Sequence, residues 1–433
     1  MRLFFIYFNP FSALSAQKNF LINIFLLVFI NVLVKPLYAL GVDINIQLEL
    51  GNARFGQIFA LWSLAYLASS VADLGISQHN SSAVSKNNDY FRQQAGNILK
   101  LKLILALIYS LLLMSLGWIL GYEGLQLQML ACIGFNLICG GFIQWGRTNI
   151  AGLGYYKIDS CLSAMDKLLM LFTGWSLLKG YWGVEVGEIS FILSQTIAFL
   201  LTLGLVAGIN FYLFYQNKIL ATAKFEPLRL LKQTLPYALV VLLMGLYARL
   251  DAILLERWAL DKAEAGYYSF AFRLLDLVNM VGVLCGSLLL NLFSRYLQDL
   301  KNLRRLFWLA FTFLLSAYAS ALVFVLIFGE WLSHFLLGYY DQKSIFILSL
   351  LFTALIFKGI IHIAGTLLTA TGDLGRMHRL FIGAIAVNFC LNYFLIPLYG
   401  AKGTACVAII TQSGVAMVEL YWAWRWLYKR EIL

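Results

Sequence analysis

Long apolar runs alternate along the chain with short polar or charged interruptions, and the runs are of one size. A bilayer's hydrocarbon core takes about 20 consecutive apolar residues per helix. Twelve segments reach that length: 19–38, 57–76, 101–120, 125–150, 160–178, 189–213, 235–255, 265–291, 306–328, 344–368, 380–398 and 404–426. In lipid only a helix satisfies its backbone hydrogen bonds within one segment, and these runs far exceed a barrel strand of about 10 residues. The pattern predicts an all-α, polytopic membrane protein of twelve transmembrane helices. Composition agrees: 61% of the 433 residues are hydrophobic and 12% charged, whereas a soluble domain is about 45–50% apolar and 25% charged.

Charge sets the expected orientation. Twenty-one of the 32 Lys and Arg lie near one set of segment ends and seven near the other, with Lys167, Arg249, Arg273 and Lys358 inside spans. Cytoplasmic loops retain positive charge, so both termini are expected in the cytoplasm. The same distribution accounts for the net charge of +11. Nucleic-acid binders gather basic residues on one soluble face, and here they are spread over short loops, so nucleic acid is not an expected partner. The six cysteines lie within or at the ends of spans with no CxxC pair, which suggests neither disulfides nor zinc. The opening MRLFFIYFNPF has too short an apolar core for a signal peptide and reads as an interfacial lead-in.

The chain also echoes itself. GVEVGEISFILSQT, from Gly183, and GAKGTACVAIITQS, from Gly400, are offset by 217 residues, and ARFGQIFAL around Gly56 echoes AEAGYYSFA around Gly266. Similar offsets recur in the same order, the pattern of a duplication. Six spans per half give two parallel, pseudo-symmetric six-helix lobes, 1–214 and 235–433, joined by a polar cytoplasmic linker at 215–234. Folds of that kind rock around a site near the membrane midplane.

Three stretches carry a family resemblance: LPYALVVLLMGLYARLDAILLERWALDKAEAGYYSFAFRLLDLV from Leu235, NARFGQIFALW with ADLGI at Ala72–Ile76, and IPLYGAKGTA before the last span. They resemble the polysaccharide transporter family, the O-antigen and exopolysaccharide flippases of the multidrug/oligosaccharidyl-lipid/polysaccharide (MOP) exporter superfamily. The resemblance covers nearly the whole chain through loose motifs. It implies a MATE-like two-lobe fold and movement of an undecaprenyl-diphosphate-linked oligosaccharide from the cytoplasmic to the periplasmic leaflet. Its implied partners are that lipid-linked cargo, membrane lipids, and the polysaccharide polymerase and glycosyltransferases acting on the same glycan. Lipid II flippases of the superfamily carry two further helices, for which this chain shows no spans.

The charges inside spans are the candidate chemistry. At 1.5 Å rise per residue, Arg249 lies about 10 Å from the outer interface and Asp251 is shallower, so both can be interfacial or paired. Arg273 and Asp276 fall roughly 13 and 18 Å deep at i,i+3 spacing, and Lys358 roughly 22 Å deep with His362 one turn on. A charge at a helix centre costs about 2.5–3.5 kcal/mol on insertion scales and therefore faces a bundle interior or a watery cavity. Asn31 and Lys35 form a polar stripe on the first span, with Asn23 near it. Asp73, Asp166 and Lys167 sit in the cytoplasmic third, where solvated loop-end roles are expected. A diphosphate entering a partly dry cavity needs charge-assisted donors in place of water, so Arg273, Lys358, Arg249, Lys35 and Asn31 are the substrate-binding candidates. With no G-x-x-x-x-G-K-[ST] to cradle ATP, an ion-coupled or passive carrier is expected. Asp276, Asp251 and His362 are the candidates for binding H+ or Na+. Ion pairing of Asp276 with Arg273 is the competing reading of that aspartate. No catalytic residue, metal site or cofactor is indicated. A membrane glycosyltransferase or polymerase would need catalytic groups on a substantial outer loop, and the longest, around 39–56, offers Asp43 and Glu49. The nearer rival is a cation-coupled multidrug exporter of the same superfamily, which would favour acidic over basic cavity groups.

Overall fold

The computed structural model describes residues 30–77, 79, 80, 84, 88–216, 227–372 and 374–429; Asn23, the opening MRLFFIYFNPF and most of the linker lie outside them. The described residues are overwhelmingly helical, as the periodicity predicts. We number the helices α1 (30–50), α2 (Asn52–Ala68, with the short turn Ser70–Asp73 after it), α3 (Asn88–Ile119), α4 (Leu125–Gly152), α5 (Tyr156–Leu162 with Met165–Leu178), α6 (Glu188–Gln216), α7 (Pro227–Trp258), α8 (Glu264–Tyr296), α9 (Leu300–Leu337) and α10 (Gln342–Thr371). The final stretch Leu374–Lys429 is broken at Gly400 (φ 55°, ψ −133°); α11 is 374–399 and α12 is 401–429. Among the described residues nine stretches are long and apolar enough to cross a membrane, and the last, 54 residues long, accommodates two passes. With α1 and α7, which do not meet that measure, the described helices are roughly consistent with twelve passes, and residues 19–29 of the first expected span lie outside the described residues.

One expectation fails at α1. The outer loop expected around 39–56 is helical through residue 50, passing through a π-helical turn at Ala39–Asp43 before Ile44–Leu50 and leaving Gly51 as the break. Alternating polar positions in GVDINIQLEL suggest a loop by hydropathy, yet Val42, Ile44 and Ile46 are buried, and that packing holds the helix.

The breaks between helices have local causes. The Asp341 carboxylate accepts from the backbone of Lys343 (3.1 Å) and Ser344 (3.3 Å), which caps α10. Asp299 caps α9 by accepting from the Asn302 backbone N–H (3.2 Å) and side-chain amide (2.6 Å), bonds that hold its carboxyl below the usual range. Pro397 and Gly400 interrupt the last long helix. There the Glu264 carboxylate accepts from the Ala401 N–H (2.8 Å) and pairs with Lys343 (2.5 Å), closing the freed start of α12.

The described residues divide into two compact units, within Met1–Glu49 with Leu61–Gly245 and within Leu50–Ala60 with Leu246–Leu433. In unit 1, α4 packs on α3 and α6, and α5 on α6. Ile76, Ile98, Leu101, Leu105 and Trp145 form one of its buried clusters. Leu107 and Leu111 on the outer face of α3 are each 63% exposed, which marks a lipid-facing stripe, since a watery surface rarely carries a continuous apolar patch. Asp73 is no solvated loop end: it receives Lys102 Nζ at 2.6 Å, and Lys102 is buried. Ser77 donates to the same carboxylate at 2.6 Å. Beside it a ladder of amides runs from Asn80 to Asn149 (2.7 Å) to Asn210 (3.0 Å), tying α4 to α6.

In unit 2, α10 packs on α8, α9 and the last long helix. The start of α2 crosses α8 where the two echoed segments meet. A Cβ on Gly56 would stand 2.5 Å from the Gly266 nitrogen, and one on Gly266 would strike the Asn52 backbone. Two glycines at the crossing let the backbones touch, and Phe59 packs against Phe272 one turn below.

Candidate functional site

The membrane-embedded charges of the second half come together inside unit 2, on α7, α8 and α10. Arg249 on α7 reaches across to Asp276 on α8 (Nη2–Oδ2 3.0 Å) and lays its guanidinium 4.7 Å from the centre of the Phe272 ring. Asp276 is therefore paired with another helix. Its i,i+3 neighbour Arg273 sits 4.4 Å from the centre of the Phe55 ring on α2, its Nε donating to the Ser269 carbonyl at 3.3 Å. Spacing on one helix puts Arg273 and Asp276 on a common face, yet the carboxylate is taken by Arg249 from the neighbouring helix.

Asp251 is enclosed by neighbouring helices rather than left at the surface. It is buried, and its carboxylate accepts from three neutral donors: Tyr268 Oη (3.3 Å) on α8 and the side-chain amides of Asn388 (3.0 Å) and Asn392 (2.9 Å) on α11. Asn392 also donates to Asn388 Oδ1 at 3.1 Å, which aligns the two amides. Hydrogen bonds to a carboxylate favour its charged form, and burial of the group opposes it.

Lys358 on α10 is half-buried and, among the described residues, makes no hydrogen bond or ion pair; the charges acting on it are those of Asp276 and Arg249. One turn on, His362 donates from Nε2 to Asn279 Oδ1 (2.9 Å), with the amide oxygen as acceptor. Tyr318 donates to the Asn279 carbonyl at 3.4 Å. Gly282 gives His362 its room, since a Cβ there would stand 2.5 Å from the ring. Arg249, Arg273 and Lys358 thus share this interior with the carboxylates of Asp251 and Asp276.

Asn31 and Lys35 belong to unit 1. Asn31 donates to Ser163 Oγ at 2.7 Å, and Lys35 is half-buried on the next turn of α1. Nearby on α5, Lys167 lies 5.2 Å from the centre of the Tyr38 ring, whose hydroxyl accepts from Gln195 at 3.0 Å. Unit 1 accordingly has a polar patch of its own, assembled from α1, α5 and α6.

Asn388, Asn392, Tyr268, Asn279 and Glu419 are absent from the candidates that sequence suggests. For the two asparagines the i,i+4 spacing inside an apolar run is a readable signal, because two amides on one buried face need partners. Glu419 is the lone acid of the span 404–426, and an intramembrane acid is a functional candidate by default.

The fold is one found in solved transporters. The chain matches a multidrug resistance MATE family transporter of the MOP superfamily in an inward-facing conformation with TM-score 0.71, at 16% identity, over 91% of this chain and 94% of that one. It matches the lipid II flippase MurJ in an inward closed conformation with TM-score 0.70, at 12% identity, over 92% and 87%. A MOP superfamily transporter from Pyrococcus furiosus Vc1 matches with TM-score 0.65, at 15% identity, over 94% and 95%. No family model matches the sequence, and no curated protein does. At these identities the likeness defines the fold alone: that of a multi-pass helical membrane protein built like these solved transporters.

Proposed function

We propose that the chain is a flippase that carries an undecaprenyl-diphosphate-linked oligosaccharide, an O-antigen, capsule or exopolysaccharide repeat unit, by alternating access. In this reading it sits in a bacterial inner membrane with both termini cytoplasmic and moves cargo to the periplasmic leaflet. The observation that carries it is Lys358, a basic side chain on a membrane-spanning helix that makes no hydrogen bond or ion pair among the described residues. Placing a charge there is costly, and an anionic cargo group supplies the missing partner. Arg273, its guanidinium stacked on the Phe55 ring, offers a planar fork for phosphate oxygens. For the Pyrococcus furiosus transporter, reverse polarity of the binding pocket suggests a different function, and that precedent supports reading pocket charge as a guide to cargo.

Asp251 with its three donors is the favoured ion-coupling group under this reading, and Asp276 serves to hold Arg249. The multidrug reading rests on the same fold and on the buried Asp251 carboxylate. Proteoliposomes separate the two. We expect the purified protein to translocate an undecaprenyl-diphosphate-linked disaccharide at a rate well above protein-free vesicles and to move no quaternary ammonium dye. Dye transport without lipid translocation would overturn the flippase reading.

A further inference from the structure

Two buried carboxylates in unit 2 are treated oppositely by their surroundings. Asp251 is given three hydrogen-bond donors. Glu419 on α12 is fully buried, and neither carboxylate oxygen has a hydrogen-bond partner among the described residues. It lies against Gly365 on α10, where a Cβ would stand 2.9 Å from Oε2. The glycine makes the space the carboxylate occupies, so the site is built from two helices.

The surroundings are polar yet bring no cation to the carboxylate. The Tyr247 hydroxyl on α7 lies near Thr411, and Gln412 Oε1 on α12 is buried without a hydrogen-bond partner among the described residues. Gln412 and Glu419 are seven residues apart and share a helical face, roughly 10 Å apart along the axis. The other charged or titratable groups on the packed helices are engaged elsewhere or stand apart. Asp251 and Arg249 on α7 bond to Asn388 and Asp276, Arg273 on α8 stacks on Phe55, and His362 on α10 bonds to Asn279. Lys358 on α10, Arg376, His378 and Arg379 on α11 and Arg425 on α12 make no ion pair with Glu419.

A bare anion buried without donors costs several kcal/mol, and a carboxylate so placed is neutralised. We propose that Glu419 is a second, independent coupling site in unit 2: a carboxyl that carries an exchangeable proton while α12 is closed on Gly365. The step is a plain proton transfer: solvent water delivers H+ to the carboxylate when the helix pair opens and takes it back at the next opening. The inference deepens the transporter reading by adding a proton site, and it rests on that reading only for its use in transport.

Infrared spectra of the purified full-length protein, recorded as pH is raised, test it. We expect a protonated-carboxyl C=O band that declines with rising pH, is absent in Glu419→Gln and persists in Asp251→Asn. Gly365→Ala, which crowds Oε2, is expected to move the midpoint of that decline. A spectrum in which Glu419→Gln removes no band, or a band unchanged at every pH, overturns the proposal. The measurement needs no lipid cargo, so its failure leaves the flippase reading standing, and a failure to flip leaves this titration unaffected.

Discussion

The double variant Arg273→Ala, Lys358→Ala is expected to lose translocation of the lipid-linked oligosaccharide while reaching the membrane at normal levels. A hydrogen bond to a charged group is worth about 1.5–3 kcal/mol, and each 1.4 kcal/mol is about tenfold. Each single alanine should therefore slow flipping roughly tenfold to a hundredfold, and the pair more, short of strict additivity because both grip one diphosphate. For Lys358 folding should be spared, since it strands no bonded partner among the described residues. Arg249→Ala is the instructive contrast. It strips Asp276 of its 3.0 Å partner, so it should reduce stability as well as flipping. Quantifying lipid-linked intermediate on each leaflet beside protein abundance separates these outcomes. Normal flipping by the double variant would remove both residues from the site.

Gly266→Val should produce a large fall in stability. Its Cβ would strike the Asn52 backbone, and Gly56 offers no slack because its own Cβ position abuts the Gly266 nitrogen. Overpacking of a core costs about 1–3 kcal/mol, and here backbone, not a flexible side-chain tip, must yield. At roughly 2–4 °C per kcal/mol for a unit of this size, the melting point in detergent should drop by several degrees. Gly383→Ala is the control. Its Cβ would meet open space, and alanine's better helix propensity, up to about 1 kcal/mol, should leave stability equal or improved. An unchanged melting point in Gly266→Val would mean α2 and α8 do not cross at these glycines.

The fold was legible because membrane helices announce themselves: twelve apolar runs were readable as spans without any tertiary information. What hydropathy could not show was α1 continuing through residue 50, since its helicity comes from packing of Val42, Ile44 and Ile46 rather than from unbroken apolarity. The echo between Gly56 and Gly266 was visible as a repeat, but nothing in a repeat says that its two copies touch. Of the candidate site residues, depth picked out Arg273, Asp276, Lys358 and His362, whereas Arg249 and Asp251 read as interfacial or paired; these six lie in one unit, and the candidates Asn31 and Lys35 lie in the other. Partner choice was not legible. Whether Asp276 bonds Arg273 or Arg249 depends on which cation can reach across a helix pair, and no spacing along one helix encodes that. Asp73 failed in the same way, because its partner Lys102 counts as a loop-end cation in sequence and is buried in the fold. Asn388 and Asn392 matter only because Asp251 lies opposite them.

If the cations inside unit 2 receive a diphosphate, the headgroup alone must carry a measurable share of lipid affinity. Equilibrium binding of undecaprenyl diphosphate and of undecaprenol to the same detergent-purified protein isolates that headgroup, since the tails are identical. The diphosphate should bind at least about tenfold more tightly than the alcohol, the gain of one charge-assisted contact. Lys358→Arg should keep the preference, and Arg273→Gln with Lys358→Gln should erase it. Equal affinity for the two lipids in the unaltered protein, or a preference indifferent to both glutamine substitutions, would contradict a phosphate-receiving interior.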